Sequence, residues 1–202
     1  MRPQQLAKTA SSFARLRYGD PPLLQSIAAA AMPRIDEFGP DDLSSTAWAY
    51  AKLGVPNAGP LLAAIASAAR PSISQFTPQG LSTTAWAFSR CGVSEGPLLE
   101  AIAAQARATM GSWSPQGLSN TAWAFATLVF VHRPLLQAIS SAALRKLGSF
   151  CSQGLSNTSW ACAKLSWHDP PLLSSIAAEA RASISQFRPQ ELGNTAWAFA
   201  AQ

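Results

Sequence analysis

One eight-residue block returns along this chain, and it constrains the fold more than any other feature. With the commonest residue at each position the block reads Leu-Ser-Asn-Thr-Ala-Trp-Ala-Phe, and its copies begin at Leu43, Leu81, Leu118, Leu155 and Leu192. These leading leucines are 37 or 38 residues apart, and a degenerate copy without the tryptophan begins at Leu6. A period of this length is typical of a solenoid, in which each repeat packs mainly against its neighbours. We therefore expect function on a face that recurs in every repeat.

The apolar spacing within one repeat predicts two helices, named here helix A and helix B. In the second repeat the leading leucine and Tyr50 fall on one side of a helix from Pro40 to Leu53. A recurring Pro-Leu-Leu marks the start of helix B, which should end early at Pro33 and Pro71 because an interior proline breaks a helix. A short helical turn should then precede a recurring aromatic residue, which is Phe38, Phe76, Trp113, Phe150 or Phe187. The sequence thus predicts an all-α fold, an α-solenoid of helical hairpins with a right-handed superhelix.

The repeats also predict how the chain is organised. We expect a single α-solenoid domain over residues 1–202, with about five and a half repeats. They span residues 1–38, 39–76, 77–113, 114–150 and 151–187, with a partial repeat at 188–202. Since solenoids usually carry polar end units and none is evident here, we expect a fragment of a longer array. The extra residue behind the single 38-residue spacing should lie in the loop from Gly54 to Gly59.

Composition narrows the classes of function. The chain is 48% hydrophobic and only 12% charged, which suits a large core in which alanine lets helices approach closely. The net charge of +5 favours a polyanionic partner. No apolar run is long enough to span a bilayer, so we expect a soluble protein without a membrane partner.

Catalytic and metal-binding chemistry find little support in the residues. His132 and His168 have no second ligand at metal-binding spacing, so we expect no metal and no cofactor. The three cysteines form no CxxC pair, which favours a reducing compartment with mostly buried or inert thiols. No nucleophile beside a base and no glycine-rich phosphate loop occurs, so the chain is predicted not to be an enzyme and to have no small-molecule substrate.

Two positions of helix A, on the side opposite its core face, carry polar residues repeatedly. Two residues after the leading leucine lie Ser45, Thr83, Asn120, Asn157 and Asn194. Nine residues after it lie Arg15, Lys52, Arg90 and Lys164, with Thr127 in the remaining copy. These positions are two helical turns apart and share a face. An alanine between them, such as Ala49, should let a ligand approach the helix closely.

Stacked repeats would align these side chains into two ladders, which suits single-stranded RNA. We predict that Ser45, Thr83, Asn120, Asn157 and Asn194 contact bases, in the manner of readers that bind one base per repeat. The cations Arg15, Lys52, Arg90 and Lys164 are predicted to contact phosphates. The alternative is that both sets only solvate an exposed surface. A second basic ladder late in helix B is a candidate for further backbone contacts or simply faces water, and it consists of Arg70, Arg107 and Arg181.

Each full repeat also carries a tryptophan, namely Trp48, Trp86, Trp123, Trp160 and Trp197. Such a series invites comparison with base-stacking platforms. Packing is the favoured interpretation, because each ring lies at the edge of the core face and would fill the gap between successive repeats.

The block from Leu118 to Phe125 and its copies resemble the helical repeats of octotricopeptide proteins and the related arrays of FAST-kinase-like and RAP-domain proteins. The resemblance covers essentially the whole chain and includes the Pro-Leu-Leu start of helix B. It implies an organelle RNA-binding factor, mitochondrial or chloroplast, that acts on the stability, processing or translation of transcripts. In such proteins the base-contacting position of helix A would correspond to Ser45, Thr83, Asn120, Asn157 and Asn194.

The main alternative is a scaffold for protein–protein interaction of the armadillo or HEAT type, which would use the same surface. The basic ladders favour RNA, whereas the low overall charge favours protein. We therefore expect single-stranded RNA as the first partner and other proteins as further partners.

Overall fold

The computed structural model describes residues 2–201, and in that range the chain is all-α with eleven α-helices. The odd-numbered helices correspond to helix A and the even-numbered ones to helix B. They are α1 (Pro3–Leu16), α2 (Pro21–Ala31), α3 (Pro40–Leu53), α4 (Gly59–Ala69), α5 (Pro78–Arg90), α6 (Gly96–Thr109), α7 (Pro115–Thr127), α8 (Arg133–Leu144), α9 (Ser152–Lys164), α10 (Pro170–Ala182) and α11 (Pro189–Ala200). The all-α prediction and its period of about 37 residues are confirmed. The predicted bounds of helix A in the second repeat, Pro40 to Leu53, are those of α3.

Prolines and polar caps fix where the A helices begin. Proline is the first residue of every A helix except α9, in keeping with its fixed φ and missing amide hydrogen. The hydroxyl oxygens of Thr77 and Ser114 accept hydrogen bonds from the backbone amides of Gly80 and Gly117, at 3.0 and 3.1 Å. In α9 the capping position is Cys151, whose side chain makes no such bond.

The B helices begin one residue before the recurring proline, and α2, α8 and α10 carry side-chain caps, whereas α4 carries none. Asp20 and Asp169 accept hydrogen bonds from the amides of Leu23 and Leu172, both at 3.1 Å. His132 performs the same role through Nδ1 at 3.0 Å from the Leu135 amide, which gives this histidine a structural function. These bonds satisfy amides that a helix leaves without an intrahelical partner.

A short 3₁₀ turn follows each B helix, as predicted. The turns span Met32–Glu37, Ile73–Gln75, Met110–Ser112, Leu147–Ser149 and Ile184–Gln186. Helices α2 and α4, which precede Pro33 and Pro71, have 11 residues each, whereas α6 has 14. Proline therefore shortens helix B, but the turn forms in all five repeats. The aromatic residue after each turn is buried.

The chain forms two compact units, with the boundary between Gln105 and Ala106, inside α6. In unit 1, the part up to Gln105, α3 packs between α1 and α5. In unit 2, the part from Ala106, α9 packs between α7 and α11 in the same way. The leading leucines Leu43, Leu81, Leu118 and Leu155 are at most 1% exposed. Each unit thus has the neighbour-to-neighbour packing of a solenoid, while the grouping into one domain and the right-handed superhelix stay predictions.

Small residues allow the A helices to approach each other closely. Gly154 lies immediately before a leading leucine, and a Cβ added there would stand 3.1 Å from the Phe150 ring and 3.6 Å from the Ser119 hydroxyl oxygen. Gly80 occupies the same position in unit 1, with Phe76 and Ser44 as the corresponding neighbours. The closest contact at both glycines is with the aromatic ring that precedes the same helix, whereas the contact with the neighbouring A helix is an ordinary van der Waals distance.

A residue with positive φ follows each of the first five A helices at the same repeat position, eleven residues after the leading leucine. The series is Arg17, Gly54, Gly92, Val129 and Ser166, with φ between 49° and 67°. In the loop after α3 a second residue, Asn57, also has positive φ, at 59°. The added residue of the 38-residue spacing therefore lies in the predicted Gly54–Gly59 loop.

The cysteines are free thiols, and the sequence prediction for them is only partly right. Cys162 is buried, and burial raises the pKa of its thiol to about 12, so this thiol is inert. Burial also raises the pKa of the half-buried Cys91. Cys151 is exposed, because it lies at the solvent-facing start of α9.

Candidate nucleic-acid interface

Each A helix presents one stripe of its surface to solvent, and the stripe has four positions per repeat. Counted from the leading leucine, they are −2, +2, +5 and +9, a spacing of three or four residues that keeps them on one face. We call this set the exposed stripe. Its side chains are exposed or half-buried in all six A helices.

The predicted base-contacting residues occupy position +2. Ser45, Thr83, Asn120, Asn157 and Asn194 are all half-buried, so one side of each packs on its helix and the other reaches solvent. The Ser45 hydroxyl donates a hydrogen bond to the Asp42 carbonyl oxygen of its own helix, at 3.2 Å. Within residues 2–201 the three asparagine amides make no hydrogen bond. The asparagines therefore keep both donor and acceptor atoms available to a ligand.

The predicted phosphate-contacting residues occupy position +9. Arg15, Lys52, Arg90 and Lys164 are exposed at the last turns of α1, α3, α5 and α9. Among the described residues none of the four is in an ion pair. Their charge is consequently not compensated by a neighbouring carboxylate.

The tryptophans occupy position +5, between the two predicted ladders. Trp48, Trp86, Trp123 and Trp160 are half-buried, and Trp197 is 48% exposed. In unit 2 the ring centroids of Trp123 and Trp160, and of Trp160 and Trp197, are 6.4 Å apart with the planes tilted by 33° and 38°. The rings thus pack against the next repeat, as the packing interpretation predicts, and still present part of their surface to solvent.

The alanines that the sequence places between the two ladders are not on the exposed stripe. Ala49, Ala87, Ala124, Ala161 and Ala198 are 0% exposed. They lie on the side of the stripe where the A helices pack together, so their small size serves helix–helix contact. The expectation that these alanines admit a ligand is wrong, and tryptophan takes their place beside the ladders.

Position −2, which was not predicted from the sequence, carries an exposed polar side chain in every A helix. The residues are Gln4, Asp41, Gln79, Gln116, Gln153 and Gln190. The signal was present, because each glutamine except Gln153 directly follows the proline that starts its helix. Positions −2 and +2 are one helical turn apart, so Gln116 and Asn120 are neighbours on α7.

The two units differ in what their stripes carry. In unit 1 the stripe holds four cations, Lys8, Arg15, Lys52 and Arg90, and a single acid, Asp41. In unit 2 Lys164 is the stripe's cation, and the same three residues recur on α7, α9 and α11. We call that set the amide–tryptophan ladder, and it consists of Gln116, Asn120, Trp123, Gln153, Asn157, Trp160, Gln190, Asn194 and Trp197.

The second predicted basic ladder lies on the B helices. Arg70, Arg107 and Arg181 are exposed at the C-terminal ends of α4, α6 and α10. A cation at a helix C-terminus is stabilised by the helix dipole. The stripe cations at position +9 also lie in last helical turns, so the three arginines provide a matched set of control residues.

Within residues 2–201, no group of histidine, cysteine, aspartate or glutamate side chains is arranged to hold a metal ion. No helix of the described part of the chain combines the length and apolarity needed to cross a bilayer. The exposed stripe itself carries mainly amides, indole rings and cations.

Such a surface is suited to a polymer with charged links and planar groups. The model of the family described as RNA-editing substrate-binding complex 6 protein, RESC6, matches residues 1–202. The chain belongs to this family. No curated protein matches it.

Membership confirms an RNA-related organelle function for the helical repeat array, since the complex of the RESC6 family is mitochondrial. The family is one of binding and scaffold subunits with RNA and protein partners. The octotricopeptide name stays a resemblance.

Proposed function

We propose that this chain binds single-stranded RNA through the exposed stripe and does so with base selectivity. It would act in mitochondrial RNA processing, as an RNA-binding subunit of an RNA-editing substrate-binding complex. The observation that carries the proposal is the recurrence, on one solvent-facing side of the A helices, of polar side chains, an indole ring and a cation.

Each component of the stripe matches a different part of an RNA strand. Lysine and arginine neutralise phosphates, which supplies affinity without selectivity. Indole rings stack on bases of any sequence. Amides and hydroxyls at Ser45, Thr83, Asn120, Asn157 and Asn194 form hydrogen bonds with the edges of unpaired bases, which supplies selectivity. A duplex would hide those edges, so the expected ligand is single-stranded.

The test removes three of the five stripe cations from the full chain. We expect that changing Lys52, Arg90 and Lys164 together to alanine lowers affinity for a pool of single-stranded RNAs by about tenfold or more at low salt, because phosphate contacts dominate affinity. The measurement is fluorescence anisotropy at two salt concentrations.

The control variant changes Arg70, Arg107 and Arg181 to alanine, which lowers the net charge by the same amount. We expect it to bind RNA nearly as well as the unmodified chain. If neither the unmodified chain nor the control binds RNA, or if both variants lose affinity equally, the stripe is not the RNA interface.

A second candidate function is a protein–protein interaction scaffold of the armadillo or HEAT type. The observation that favours it is membership of a family whose complex has protein as well as RNA partners. Copurification of a protein partner by a chain without any RNA affinity would favour the scaffold over the RNA-binding function.

A further inference from the structure

The exposed stripes of the two units differ in the side chains that they carry at each position. In unit 2 the positions −2, +2 and +5 hold glutamine, asparagine and tryptophan in three successive A helices. In unit 1 no such identity exists, because position +2 is Lys8, Ser45 and Thr83 in turn. Three identical sets of side chains are expected to have the same preference among bases.

We infer that unit 2 selects a run of three identical bases in single-stranded RNA, whereas unit 1 mainly binds the phosphate backbone. The inference rests on the proposed RNA-binding function and deepens it, because it names the sequence class that the amide–tryptophan ladder recognises. If each repeat contacts one base, identical side chains at positions −2, +2 and +5 in successive repeats of unit 2 select the same base each time.

The spacing of the tryptophans in unit 2 agrees with one base per repeat. Successive ring centroids are 6.4 Å apart, which is wider than the spacing of about 3.4 Å per nucleotide along one strand of a duplex. Bases that follow this spacing are separated from one another, and each can stack on its own indole. Separated bases also expose the edges that side chains read.

The amides beside each ring supply the selectivity. An asparagine or glutamine amide has one acceptor and two donors, so it can form a bidentate contact with a base edge. Asn120, Asn157 and Asn194 make no side-chain hydrogen bond within residues 2–201. No internal hydrogen bond therefore has to break before these amides bind a base. Adenine is the first base to test, because amides pair in this manner with its N6 and N7 atoms.

Unit 1 has the composition of a backbone-binding surface. Lys8, Arg15, Lys52 and Arg90 lie on its stripe, whereas unit 2 has one stripe cation, Lys164. Phosphates carry no base identity, so contacts to them add the same affinity for every sequence.

The experiment measures the affinity of the full chain for RNAs of equal length that differ in one triplet. The triplet is AAA, CCC, GGG or UUU in an otherwise mixed sequence, or a mixed triplet. We expect one homotriplet to bind about tenfold tighter or more than the mixed triplet, because a bidentate base contact discriminates by a factor of about five to a hundred.

A substitution in the middle of the amide–tryptophan ladder tests whether one asparagine recognises one base of the triplet. We expect Asn157→Ser to lower affinity for the preferred triplet more than for the mixed triplet, so that discrimination at the central base is lost. The matched control is Gln137→Ser, an exposed amide on the B helix α8 of the same unit, which should leave the triplet preference unchanged.

The outcomes separate the two proposals. RNA binding with equal affinity for all triplets overturns the inference and leaves the proposed function intact. An Asn157→Ser variant that loses affinity equally for all sequences also overturns it, because Asn157 would then not read a base. Failure to bind any of the RNAs overturns both.

Discussion

At the scale of single residues, the turn after each A helix requires one residue in the left-handed region. Glycine meets this requirement without strain at Gly54 and Gly92, but unit 2 has Val129 there, with φ of 54°. A β-branched residue rarely adopts this conformation, which costs about 1–2 kcal/mol. The Val129 side chain is 61% exposed, so packing returns little of that energy.

We therefore predict that Val129→Gly stabilises the protein by about 0.5–1 kcal/mol. The gain is smaller than the strain released, because glycine loses more conformational entropy on folding. The measurement is the midpoint of urea or thermal unfolding.

The reciprocal control is Gly92→Val, at the same repeat position in unit 1. A Cβ added at Gly92 meets nothing within 4 Å, so any loss of stability comes from the backbone. We expect this variant to lower the midpoint. An unchanged midpoint in both variants would contradict the strain argument.

At the scale of helices, the A helices share one starting geometry but not one cap. Ser114 caps α7 through its hydroxyl, whereas the Cys151 side chain makes no capping bond to α9. The backbone of both residues is extended, with φ of −75° and −76°. A serine at position 151 would therefore have the geometry that its counterpart uses.

We predict that Cys151→Ser stabilises α9 by about 0.5–1 kcal/mol, since a hydroxyl oxygen would accept a hydrogen bond from a free backbone amide. Native-state hydrogen exchange of the first turn of α9 and the unfolding midpoint measure the effect. The matched variant Ser114→Cys should destabilise α7 by a similar amount. A stabilising Ser114→Cys would show that thiol and hydroxyl cap equally well here.

The helices also show what the sequence could and could not reveal. Proline and the apolar period were enough to predict the bounds of α3, because both act within one helix. The sequence did not show which residues lie beside the predicted ladders on the exposed surface. Positions +5 and +6 lie about 50° to either side of the ladders on a helical wheel, so the wheel alone does not decide which of the two is exposed. The packing of adjacent A helices decides which side is covered, and it covers Ala49 rather than Trp48.

At the scale of the whole molecule, the period alone predicted the fold class, because a recurring block can bury its apolar face only by stacking on its own copies. The difference between the units was visible in the sequence only once the stripe was defined. The glutamines at −2 looked like ordinary exposed residues of a first helical turn. Their alignment with Asn120, Asn157 and Asn194 became apparent from exposure in the folded chain.

The distribution of charge over the molecule makes a quantitative prediction for salt. Each phosphate neutralised on a single strand contributes about −0.7 to the slope of log affinity against log salt concentration. Four contacts, from Arg15, Lys52, Arg90 and Lys164, give a slope of about −3, or a loss of about fiftyfold between 50 and 200 mM salt.

Lys52→Gln should reduce the slope by about 0.7 for every RNA sequence, whereas Arg107→Gln, at the end of a B helix, should leave it unchanged. Titrations at several salt concentrations measure both slopes. A slope near zero, or one that Arg107→Gln reduces as much as Lys52→Gln does, would mean that the phosphates do not follow the exposed stripe.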